Sequence, residues 1–342
     1  MEIISKTNSN KVANLGFVAS LLVVFIHLSE PSTMGLSWVC HYMIRHVVAP
    51  IAVPYFFVVS GYFIAAHSEN PGWWVCEVTK RIRSLCVPFI IWNFLYTVLL
   101  CLLSYLNLGD YSKDLTWNAV TGIGGGKPAL ISLWYVRALF MFVLASPVIF
   151  WAVRTCSLWG VICVGSVYVG AKFYVDSSYW KTFWEYVIPL GGCMYYMLGV
   201  FIFKHPNPVK LSSAMTVSLG MFGIVIGLTG MMCRLYIDDC GQTMARAMRL
   251  VSIPFVLIGG WSFICHCRWP KWIIRAAFPI YLIHMFIIKV VGVVCNKLGV
   301  SYAESLFGTV IVYFIVVAIS LAIAALTQLY FEKLGKLLYG GR

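Results

Sequence analysis

Charge is what this sequence has least of. Only 11% of its 342 residues are charged while 61% are hydrophobic, and the mean hydropathy is +0.86. That balance excludes a soluble globular domain of this length. The twelve cysteines form no pair of C-x-x-C motifs and lie mostly in apolar runs, as small buried side chains do. Cys265-His266-Cys267 has adjacent spacing and no second ligand pair, so no metal is expected. A loop disulfide between Cys233 and Cys240 stays open. The stretch TGIGGGKPAL lacks two positions of a phosphate-binding loop, with Thr121 in place of glycine and Pro128 in place of serine or threonine. The net charge of +13 is not gathered into one stripe, which excludes nucleic acid as a partner. No small-x-small cleavage site follows the first apolar run, so that run is expected to stay as a first span. An internal repeat, and the matched broken segments that mark many transporters, are missing too.

What is present is a succession of apolar runs, giving about ten spans of roughly 20 residues each. They are expected near 13–29, 47–66, 84–106, 130–153, 158–175, 184–203, 211–233, 249–267, 273–294 and 305–328. The expectation is an all-α integral membrane protein, residues 1–342 forming a single polytopic domain around a central polar cavity. With the amino terminus inside, the cytoplasmic loops collect Lys80, Arg81, Arg83, Arg154, Lys204, Lys210, Arg268, Lys271 and Arg275, whereas Glu30, Asp110, Asp114, Asp176, Glu185, Asp238, Asp239 and Glu304 fall outside. Both termini are therefore expected in the cytoplasm, with the surplus basic charge against anionic membrane lipids.

Polar residues inside these runs mark the expected site. His27 ends the first run, and Glu30 is three residues on, on the same helical face if the helix continues. A histidine satisfied by a backbone carbonyl is the alternative. The second run carries Ser60-Gly61, suited to close helix packing or to a ligand. Lys80, Arg81 and Arg83 lead into the third run, a place for lipid headgroups or for phosphates. Arg137 lies within the fourth run behind Trp134 and Tyr135, where a guanidinium needs a carboxylate, carbonyls, an aqueous chamber or a snorkelling path. Tyr281 and His284 share a face of the ninth. Two histidines on separate spans, with Ser60, Tyr281 and Arg137, describe a polar chamber and a default active site.

This ordered set resembles the integral-membrane acyltransferase family 3, the O-acyltransferases of bacterial surface glycans, over nearly the whole chain. The residues that carry it are His27; the FF-x-x-SG of Phe56, Phe57, Ser60 and Gly61; the R-x-R-x4-P-x3-W of Arg81, Arg83, Pro88 and Trp92; the L-W-Y-V-R of Leu133, Trp134, Tyr135 and Arg137; and the Y-x-x-H of Tyr281 and His284. Gly16 stands where the family's Arg-x10-His pattern places an arginine held to contact the acyl donor, and Ala138 stands where aspartate often follows. The resemblance implies transfer of an acyl group, usually acetyl, from cytoplasmic acyl-CoA (acetyl-CoA foremost) to a hydroxyl of a surface glycan or lipid-linked sugar, in the inner membrane of a bacterium. It implies His27 as base with Glu30 orienting it, and Tyr281, His284, Trp134 and Arg137 as donors to the thioester oxyanion. It also implies Arg81 and Arg83 against the coenzyme's phosphates, with Trp134, Tyr135, Arg137 and Ser60 along the donor site. A transporter or glycan exporter, and a catalytically inactive relative, are the rival expectations.

Overall fold

In the computed structural model the chain is described over residues 6–33, 35–122, 127–174, 189–205, 211–237, 241–264 and 269–341. Among them every regular element is a helix, and seven helices are long and apolar enough to cross a membrane: Leu36–His67, Trp73–Tyr105, Ser146–Ala171, Ser213–Tyr236, Gly241–Gly260, Ala277–Lys297 and Leu306–Tyr330. Three shorter apolar helices, Asn10–Ile26, Ile131–Leu144 and Leu190–Lys204, accompany them.

The helices depart from the expected spans in instructive ways. Leu36–His67 and Trp73–Tyr105 are 32 and 33 residues long, about 50 Å each, well beyond a hydrocarbon core of about 30 Å. Each starts some ten residues before its apolar run and passes through a π-helical stretch, at Met43–Val48 and Ile82–Cys86 respectively. Such wider turns are frequent at functional sites. The expected span 130–153 is instead two helices. The first, Trp134–Leu144, stops because Pro147 has no N–H for the preceding turn; the Trp74 indole donates to the Val143 and Leu144 carbonyls instead, at 3.3 and 3.2 Å. The next, Ser146–Tyr174, is broken at Ser157.

The chain packs as two compact units, each assembled from separated stretches: Met1–Phe56 with Asn207–Ala324, and Phe57–Pro206 with Ala325–Arg342. We number the helices the site needs. In the first unit α1 (Lys6–Ile26) packs on α6 (Ala277–Lys297) and on the turns after α2 (Leu36–Tyr42), and α4 (Ser213–Tyr236) lies along α5 (Gly241–Ile264). Gly220 and Gly259 let those last two backbones touch: a Cβ on Gly220 would meet the Gly259 Cα at 2.8 Å. In the second unit α3 (Ala52–His67), from Phe57 onward, crosses Leu190–Lys204 through Gly61 on the Tyr196 carbonyl and Gly199 on the Val58 carbonyl. Gly61 of the second-span motif is thus a packing glycine.

Candidate functional site

The first unit brings His27, Tyr281 and His284 together. Helix α1 ends at Ile26, so His27 sits in the turn beyond it, half-buried. Its ring centroid is 5.3 Å from that of His284, and the two planes are inclined by 41°. His284 is fully buried, and its Nδ1 lies 3.1 Å from the Ile280 carbonyl one turn back. A carbonyl can only accept, so Nδ1 carries the proton and, in the neutral ring, Nε2 holds the lone pair. Nε2 is buried and has no hydrogen-bond partner among the described residues. Tyr281 is buried on the same face, its ring 6.1 Å from that of His284. Chemically this is an acceptor for a proton, held in one tautomer, beside a second imidazole. A neutral His284 so arranged cannot donate to an oxyanion, which leaves that expected role to other groups.

Glu30 does not meet His27. The expected pairing needed the helix to continue, and its end at Ile26 turns Glu30 elsewhere. Its Oε1 is 3.1 Å from Arg45 Nη1 and 2.9 Å from His46 Nε2. Arg249 Nη2 lies 2.9 Å from His46 Nδ1; a guanidinium only donates, so His46 accepts at Nδ1 and donates Nε2–H to Glu30. Arg45 also donates to the Leu28 carbonyl at 3.0 Å, next to His27. Burial alone would raise the Glu30 pKa, but the His46 hydrogen bond and the Arg45 charge outweigh it and hold the carboxyl below its ordinary range. The loop is fastened further on, where the backbone N–H and hydroxyl of Ser32 donate to Glu304 at 3.1 and 2.8 Å. Nothing in the sequence pattern marked Arg45, His46 and Arg249 as a group, because Arg249 comes from a stretch far along the chain from the other two.

Gly16 lies on α1 beside Tyr55, whose hydroxyl donates to the Val12 carbonyl. A Cβ on Gly16 would meet the Tyr55 ring at 3.8 Å, ordinary contact, so packing does not demand glycine there.

The remaining expected site residues belong to the second unit. Arg81 ends α7 (Trp73–Arg81) and pairs with the buried Glu77 at 3.3 Å; Lys80 and His67 reach the same carboxylate at 3.5 and 3.6 Å. Arg83, inside the π-helical turn, is exposed and makes no hydrogen bond or ion pair among the described residues. The two arginines expected to act alike are therefore different: Arg81 is neutralised in place, and Arg83 is open. Arg137 donates to the Gly122 carbonyl at 2.8 Å, a carbonyl being one of the partners open to it. Phe57 of the second-span motif is buried with its ring 4.7 Å from Tyr135 and 6.4 Å from Trp134, so those two motifs meet as aromatic packing; Ser60 is half-buried. Sequence reasoning missed Asn93. It donates to the Ala119 and Val120 carbonyls at 2.9 and 2.6 Å and accepts from Leu130 N–H at 3.0 Å, holding both ends of the glycine-rich loop that leads to Trp134. A buried amide directly after Trp92 in an apolar run was the available signal. Cys233 carries a free thiol, while Cys240 and Cys265-His266-Cys267 lie outside the described residues.

A polytopic helical membrane protein with a buried helical histidine against a second histidine just beyond another helix is the class these observations define. The family model for an acyltransferase domain matches residues 15–328, and the chain belongs to acyltransferase family 3. Comparison with curated proteins and with solved structures finds no match.

Proposed function

We propose that this protein is an O-acyltransferase of a bacterial cytoplasmic membrane that moves an acyl group, acetyl foremost, from cytoplasmic acyl-CoA to a hydroxyl of a surface carbohydrate or lipid-linked glycan. The seven long helices and three shorter ones are read as ten crossings with both termini in the cytoplasm, as the basic loops favour. The reaction joins the acceptor oxygen to the acyl carbonyl carbon, breaks the C–S bond and releases coenzyme A as the thiol. His27 takes the hydroxyl proton and returns it to the leaving sulfur; His284 Nε2 accepts the hydrogen bond that holds the pair in register, and Tyr281 donates to the thioester oxyanion. A base so placed contributes about 10²–10⁴-fold, and one oxyanion donor roughly 3–4 kcal/mol.

The observation that carries this reading is the His27–His284 pair, with a buried Nε2 that has no partner among the described residues. At the donor end, Arg83 is the open cation for the coenzyme's phosphates, while Arg81 shapes the turn through Glu77. The test is thermal stabilisation of purified protein by acetyl-CoA, since a ligand selective for the folded state raises the melting temperature. The reading expects a shift in wild type and its loss in Arg83→Ala. No shift with acetyl-CoA, or an undiminished shift in Arg83→Ala, counts against this donor site.

A further inference from the structure

Three guanidiniums gather around Glu30 and its partner His46, and of the three Arg45 reaches the turn that carries His27. Arg45 is paired with Glu30 at 3.1 Å, and Arg249 is tied to His46 at 2.9 Å. Arg234 comes from α4. Its guanidinium lies 5.2 Å from the centre of the Tyr42 ring, which in turn is 4.4 Å from the His46 ring. It is close enough for its charge to act on both Glu30 and Arg45. Yet it makes no hydrogen bond or ion pair among the described residues, and it is half-buried. Glu304 is engaged elsewhere, its oxygens accepting from Ser32 and Thr33.

A guanidinium offers five donors in a planar fork that matches the two oxygens of a carboxylate or phosphate. Leaving that fork unmatched in a half-buried place costs free energy, since a ring face satisfies the charge but none of the N–H groups. Arg45 and Arg249 are held rigidly by Glu30, His46 and Leu28, so the cluster is organised before any ligand arrives. Its position next to the turn that carries His27 sets what the ligand would be.

We infer that Arg234 recognises an oxyanion on the acceptor, a sugar carboxylate or a phosphate, and so selects acidic glycans for acylation. This rests on the acyl-transfer reading for its meaning, but the binding is measurable without any donor. Sugar carboxylate and phosphate share the same chemistry here, and the probes separate them. An anionic lipid headgroup is the third source of that chemistry.

The experiment is thermal unfolding of the full chain in phosphatidylcholine nanodiscs, without coenzyme A, with methyl glucuronide, inorganic pyrophosphate or the neutral methyl glucoside each at about 100-fold over the half-saturating concentration where one is reached. The expected result is stabilisation by glucuronide, pyrophosphate or both, none by glucoside, and at least a tenfold weaker response in Arg234→Gln. Arg234→Lys should retain part of it, which separates lost charge from lost folding. Stabilisation by glucoside equal to that by the anions, no response to either anion, or an unchanged response in Arg234→Gln overturns the inference. So does saturation of the response by phosphatidylglycerol in the nanodisc, which would assign the cluster to lipid. Absence of acyl transfer with anion binding intact would instead count only against the catalytic reading.

Discussion

The ring of His27 stands 5.3 Å from that of His284, whose Nδ1 is committed to the Ile280 carbonyl at 3.1 Å. One tautomer of His284 is therefore fixed by its own helix, at no cost in side-chain freedom at the moment of reaction. His284→Ala is expected to lower the turnover of acyl transfer by about 10²–10⁴-fold. His284→Asn is expected to recover part of the rate, because a side-chain amide oxygen can accept the hydrogen bond that holds His27 in register. Coenzyme A release against a cell-envelope polysaccharide extract checks both, and a near-wild-type rate in His284→Ala would remove His284 from the reaction.

Glu30 yields a pH prediction. Its carboxyl is depressed by His46 and Arg45 despite the opposing effect of burial, so the stabilisation it provides is fully present above the unfolded carboxylate pKa of about 4.3 and is lost as pH falls through the lower folded value. Below about pH 4 the melting temperature of wild type should fall more steeply than that of Glu30→Gln. Parallel curves between pH 6 and 3 would show that the pairing contributes nothing.

Glu77 is 4% exposed and faces Lys80, Arg81 and His67. Glu77→Gln leaves these cations without their carboxylate and should cost about 1.5–3 kcal/mol, the range for a charged hydrogen bond. Arg81 would then lose its anchor at the start of the π-helical turn. A weaker response to acetyl-CoA, with Arg83 untouched, is the second expected readout; an unchanged one would show that Arg81 does not hold the turn in place.

The glycines divide by what lies against them. Gly61→Ala and Gly199→Ala would each drive a methyl into a backbone carbonyl and should destabilise by about 1–3 kcal/mol. Gly16→Ala meets only ordinary contact with the Tyr55 ring and should stabilise α1 by about 0.5–1 kcal/mol. Gly16→Arg restores the arginine of the family pattern, and in the acyl-transfer reading it should strengthen the response to acetyl-CoA. Thermal unfolding of the purified variants separates these outcomes.

Apolar runs made the spans legible, because length and hydropathy are local properties. The histidine pair was legible as well, since an ionisable group in an apolar run announces itself. The partner of Glu30 was not. It depended on where α1 stops, and element ends are the least predictable part of a helix. The split in the fourth span was marked by Pro147, but its meaning needed the Trp74 indole from another helix. The unlike roles of Arg81 and Arg83 were hidden too, because a π-helical turn begins between them and no residue type signals one.

The central claim is that the histidine pair performs acyl transfer to an acceptor hydroxyl. The most direct test supplies radiolabelled acetyl-CoA and a cell-envelope polysaccharide extract to reconstituted protein and counts base-labile acetyl ester on the polysaccharide, for wild type and His27→Ala. The account predicts ester formation by wild type and a loss of about 10²-fold or more in His27→Ala, with the variant still stabilised by acetyl-CoA. Ester formed equally by both, or acetyl-CoA left unconsumed by a wild type that binds it, would contradict the account.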